Sequence, residues 1–166
     1  MSIHIKSSAR KYILLGIIIF ILLGLFIASI LAKKQDDTFE TEQLLYGQAL
    51  QLYEAGDYVG AQSVIADLTK ERTDSEVVNY LGGLIEAQNG NYKAAATLMQ
   101  KSLDLKPYKV EDPMFMLQFG EILLHAERYE DAKKVLERCK ESKWEPEDYP
   151  EYQTHVQAML NQIENT

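Results

Sequence analysis

Three histidines, His4, His125 and His155, and a single cysteine, Cys139, are the side chains of this chain with the most obvious capacity for acid–base, nucleophilic or metal chemistry. Each of those chemistries needs company. A metal takes three or four ligands at close spacing, and a general base needs a second group within hydrogen-bond reach. Here the histidines are scattered, and no His-Glu-x-x-His, Cys-x-x-Cys, glycine-rich phosphate loop or Gly-x-Ser-x-Gly elbow occurs. The sequence therefore predicts no catalytic residue, no metal and no cofactor, hence no enzyme. Carboxylates are abundant, but runs such as 141–148 (ESKWEPED) read as a solvated connection braced by Trp144 and Pro146. Cys139 can form no intramolecular disulfide and reads as core packing.

With chemistry excluded, the elements themselves carry the information. Tyr12 to Ala32 is an uncharged run of 21 residues, at the ~20 needed for a helix to cross a bilayer. Lys6, Arg10 and Lys11 precede it, and Lys33 and Lys34 follow it. The run is too long for a signal-peptide core, and Ile30 sits where cleavage wants a small residue. The expectation is a transmembrane helix at 12–32 after a basic tail at 1–11, with a linker at 33–37. The basic residues then place the N-terminus in the cytoplasm and the remainder outside, as a single-pass protein of the cell membrane. Gly24 and Ala28 form a small-xxx-small pair that permits a helix contact, and with it a homo-oligomer, in lipid.

Beyond Lys34 the chain carries 12 basic against 25 acidic residues, a balance of −13. That charge repels nucleic acid and anionic lipid and attracts a basic partner.

A repeat organises this acidic part. Gly56-Asp-Tyr58-Val-Gly-Ala61, Gly90-Asn-Tyr92-Lys-Ala-Ala95 and Glu127-Arg-Tyr129-Glu-Asp-Ala132 each place an aromatic after a turn and an alanine three residues later. Ala61 and Ala95 are 34 residues apart and Ala95 and Ala132 are 37 apart, which puts a three-residue insertion within 106–113 (KPYKVEDP). Thr73-Asp-Ser-Glu76 reads as a capping box, and Asp112-Pro113 as an N-cap before a first-turn proline. A last helix spaces Tyr152, Val156, Met159, Leu160 and Ile163 on one face, suited to covering the end of an array.

Residues ~42–146 resemble three tetratricopeptide repeats, pairs of antiparallel helices A and B with a period of about 34 residues. The third copy matches best, through Met116, Phe119, Gly120 and Leu123, then Tyr129, Ala132, Leu136 and Cys139. The first offers Leu45, Ala49, Leu52, Tyr58, Ala61, Ile65 and Leu68, with Gln48 where a large apolar residue is expected. In the second, a turn one residue longer brings Leu81, Gly82 and Ile85 into the large, small, large order. The fold expected is all-α: the N-terminal transmembrane helix, a solenoid of about three helix pairs over 38–146, and a capping helix over 147–166.

The resemblance implies that A helices line a concave groove. It assigns to that groove Gln43, Tyr46, Leu50, Tyr53 and Glu54, then Val77, Tyr80, Leu84 and Gln88, then Met114, Leu117, Glu121, Leu124 and His125. The partner implied is a protein, with apolar side chains docking and a basic residue meeting Glu54 or Glu121. The predicted A helices contain no Lys or Arg, so the carboxylate clamp of the co-chaperones that hold heat-shock chaperone C-termini is not expected. The layout is similar to bacterial membrane-anchored tetratricopeptide proteins of protein export and envelope assembly. The function expected is a scaffold or chaperone-like adaptor at a membrane surface; a structural subunit without a groove and a cytoplasm-facing receptor are the alternatives.

Overall fold

The structure, a computed structural model, describes residues 7–165; within 7–39 the described side chains are those of Ile17, 20–26, Ala28 and Ser29. Among the described residues seven α-helices and one 3-10 helix follow in order: α1 (Ser7–Glu54), α2 (Tyr58–Glu71), α3 (Glu76–Gln88), α4 (Tyr92–Leu105), the 3-10 helix (Pro107–Glu111), α5 (Pro113–His125), α6 (Tyr129–Glu141) and α7 (Tyr152–Glu164). No strand occurs among the described residues. The chain divides into two compact units, Met1–Leu44 and Leu45–Thr166.

In the first unit, α1 passes through 33–37, where the sequence suggests a linker. No helix among the described residues is long and apolar enough to cross a membrane. That corrects the single-pass location expected in the cell membrane; the span expected at 12–32 itself falls in part outside the described side chains. Gly24 and Ala28 are exposed.

The second unit is built from three copies of one corner. Gly56 (φ +80°), Gly90 (φ +78°) and Glu127 (φ +62°) each take the left-handed conformation that ends a helix. Their N–H groups bond the carbonyls of Tyr53, Ala87 and Leu124, and the next N–H in each case reaches Leu52, Glu86 and Leu123. The three turns are therefore equal in length, which corrects the longer second turn. Gly83, not Gly82, corresponds to Ala49 and Gly120. A Cβ on Gly83 would stand 3.0 Å from Met99 Cγ, and one on Gly120 would stand 2.6 Å from Leu136 Cδ2. Small residues recur because α3 crosses α4, and α5 crosses α6, at these points. Glu86 falls where the other copies have Leu52 and Leu123, and its carboxylate accepts from Gln62 Nε2 at 2.9 Å and Asn91 Nδ2 at 2.8 Å.

Two apolar clusters hold the unit together. Ala49, Ala61, Ile65, Leu68, Val78, Leu81 and Ile85 form the first. Phe115, Phe119, Leu123, Leu136 and Cys139 form the heart of the second, completed by Tyr152, Val156, Met159 and Leu160 of α7. Fully buried Tyr152 donates its hydroxyl proton to the Pro113 carbonyl at 3.0 Å, and Gln153 Nε2 ties α7 to the Cys139 and Trp144 carbonyls. Asp112 caps α5, its Oδ1 accepting from the Met114 and Phe115 N–H groups at 3.1 Å. The capping box expected at 73–76 does not form. Glu76 is the first residue of α3, too early to reach back, and its carboxylate is engaged elsewhere.

Candidate functional site

The first turn of α3 and the 106–113 insertion meet at Glu76. Its side chain is only 6% exposed and pairs with Lys109 Nζ at 2.8 Å and Lys106 Nζ at 2.9 Å, while Ser102 Oγ donates to it at 3.2 Å. Burial alone would raise the Glu76 carboxyl, but hydrogen bonds and charge from Lys109 and Lys106 outweigh it and hold the group below the usual carboxylate range. The Lys109 ammonium also lies 4.3 Å from the Tyr80 ring centre and 4.7 Å from that of Phe115, and these two rings are 5.5 Å apart. The insertion is thereby fixed onto the inner helices. Its far end is pinned by Arg138, which reaches Glu111 at 2.8 Å and the Val110 carbonyl at 3.3 Å.

Tyr80 is the next link. Its hydroxyl donates to Gln118 Oε1 on α5 at 2.7 Å. Burial pushes its ionisation up to about 12, with the charges of Asp112 and Glu76 adding to the effect, so the phenol keeps its proton. Tyr46 and Tyr53 are likewise raised, chiefly by burial, then by Glu76 at Tyr46 and by Tyr58 at Tyr53. The inner side of the unit is thus a set of neutral phenols.

Beyond Gln118 lies a cleft of about 320 Å³ lined by Tyr53, Leu84, Ala87, Gln88, Tyr92, Gln118, Glu121 and Ile122. Its walls come from α1, α3 and α5, with Tyr92 from the start of α4. Among the residues assigned to the groove from sequence, Tyr53, Leu84, Gln88 and Glu121 meet here. Tyr46 and Leu50 are half-buried against the first apolar cluster, and Glu54 is exposed at the end of α1. His125 is exposed and stacks on Tyr92 at 4.7 Å, supporting the cleft wall from behind. Leu117 and Leu124 are 4% and 5% exposed, buried in the second cluster and withdrawn from any groove. The sequence reading missed Ala87, Tyr92, Gln118 and Ile122 as lining residues, and it missed Lys109 altogether because that cation comes from the insertion and not from an inner helix.

Among the described residues no cluster of three or more His, Cys, Asp or Glu could hold a metal ion. Tyr149 and His155 are hydrogen-bonded at 2.9 Å, but this pair lies at α7, away from the cleft lining. The cleft offers a mainly polar lining of phenols, amides and one carboxylate, with Leu84, Ala87 and Ile122 as its apolar members.

No protein-family profile matches the chain, and no curated protein sequence does. Solved structures do match in fold. The type III secretion translocator chaperone SycD of Yersinia enterocolitica is 22% identical with a TM-score of 0.60, over 76% of this chain and 85% of that one. PcrH in complex with the chaperone binding region of PopD is 17% identical with a TM-score of 0.59, over 76% and 92%. The TPR2B domain of yeast Sti1, in complex with an Hsp70 peptide, is 10% identical with a TM-score of 0.57, over 75% and 96%. At these identities the likeness establishes a tetratricopeptide-like helical repeat fold.

Proposed function

We propose that the chain is a non-catalytic, chaperone-like adaptor that holds a segment of another protein against the inner faces of α1, α3 and α5, in a role akin to protein export. The observation that carries this reading is the cleft between Tyr53, Leu84, Tyr92 and Ile122, whose mainly polar lining combines the amides of Gln88 and Gln118 and the Glu121 carboxylate with the side chains of Leu84 and Ile122. Its dimensions suit one aliphatic side chain with its flanking backbone, and Glu121 suits a neighbouring Lys or Arg. SycD has been solved with a peptide of the translocator YopD, and PcrH with the chaperone binding region of PopD. Both support a peptide-holding use of this helical arrangement.

Photo-crosslinking tests the proposal. A photoreactive residue in place of Leu84 is expected to yield a discrete protein adduct in cells, whereas the same residue at Lys134, on the exposed side of α6, yields none. Adducts at 134 without adducts at 84 would overturn it.

A further inference from the structure

We infer that Gln118 reads the main chain of the bound segment, donating its amide protons to a backbone carbonyl, and that Tyr80 is the residue that orients it for this purpose. The inference rests on the binding role of the cleft and adds what the cleft recognises. A glutamine amide has an acceptor end and a donor end. Here the acceptor, Oε1, is taken by the Tyr80 hydroxyl at 2.7 Å. The NH2 end, on a side chain that lines the cleft, has no acceptor among the described residues. A phenol that keeps its proton can serve only as donor to Oε1 in this pairing, so the amide is locked with its own donors turned the other way.

Tyr80 is itself held. Its ring touches Phe115 while the Lys109 ammonium lies against both rings, and Lys109 is secured by Glu76 at 2.8 Å. A relay from the insertion through Lys109 and Tyr80 to Gln118 therefore presets the orientation of one amide. Preset donors lower the ordering cost of binding. The group they suit is a neutral carbonyl: a partner carboxylate at the same point would face Glu121, which shares the cleft lining. The ligand class is accordingly an extended peptide stretch without acidic side chains, with an aliphatic side chain in the cleft and a basic residue beside it.

The test uses the full chain and the capped peptide acetyl-Ala-Leu-Arg-Leu-Ala-amide as probe, followed by NMR. The side-chain amide protons of Gln118 and the methyl groups of Leu84 are expected to shift together on titration. Tyr80→Phe, which removes only the hydroxyl, should weaken the peptide about five-fold, and Gln118→Glu, which removes the donors at nearly constant shape, about ten-fold or more. Gln118→Met serves if the Glu variant fails to fold, and thermal unfolding of each variant shows whether the fold is intact. Shifts at Leu84 with an unmoved Gln118 amide and unchanged affinity in Tyr80→Phe would overturn the inference and leave the binding cleft standing. No shift at either residue up to millimolar peptide would overturn both.

Discussion

Lys109 places its ammonium 2.8 Å from Glu76 Oε1, joining the inserted segment to the first turn of α3. Both side chains are largely removed from water, 14% and 6% exposed, whereas the second cation, Lys106, is 43% exposed. Lys109→Met keeps the length of the side chain and removes the charge. With Lys106 still present it should cost about 2 kcal/mol of unfolding free energy, measured by denaturant titration. A change below a few tenths would mean the pair is screened as a surface ion pair is.

The same carboxylate gives the unit an acid limb. The Glu76 value in the folded chain lies below the ordinary 4.5. Its contribution is therefore complete above that pH and is lost as the pH falls through the lower, folded value. Comparing unfolding from pH 7 down to pH 3, Glu76→Gln should start less stable and lose less on acidification than the parent. Parallel curves would show that Glu76 does not titrate with folding.

An opposite dependence is expected at high pH from Tyr152. Burial first, then the neighbouring Cys139, raises this phenol above 10.0 in the folded chain. The folded state favours the neutral form, so stability is intact below pH 10 and declines as the pH rises above it. Tyr152→Phe should cost about 1 kcal/mol at pH 7 through the lost bond to the Pro113 carbonyl, and should flatten the alkaline decline.

Gly120 tests the crossing of α5 and α6. A Cβ there would stand 2.6 Å from Leu136 Cδ2 and 2.9 Å from Leu136 Cγ, and Leu136 is fully buried. Gly120→Val should destabilise by about 1 to 3 kcal/mol in thermal or denaturant unfolding. Gly56→Ala would instead act through its φ of +80°, with open space around the added carbon.

How much of this could be read from sequence divides along physical lines. The turn aromatics and the alanines that follow them were legible because each repeat solves the same local packing problem, and Ala61, Ala95 and Ala132 are all fully buried. The second repeat's register was not, because Glu86 breaks the apolar pattern and only the backbone bonds of the turn show that it replaces a leucine. Leu117 and Leu124 were misread because α5 (PMFMLQFGEILLH) is apolar on nearly every side. Such a helix is central, and its sequence marks no groove face. The Lys109–Tyr80–Gln118 relay was invisible for a different reason: Tyr80 is remote in sequence from both Lys109 and Gln118, 38 positions from the latter, and meets them only through the helix crossings.

The three corners at Gly56, Gly90 and Glu127 close with the same pair of backbone bonds whatever side chains surround them. Each corner is thus a repeated local unit, while the apolar clusters are shared between neighbouring helix pairs and the extra residues after α4 are tied to both sides through Glu76 and Arg138. Lengthening the array by duplicating 58–91 would preserve every such corner. Binding reach could then be adjusted by the number of modules, independently of the chemistry each one presents.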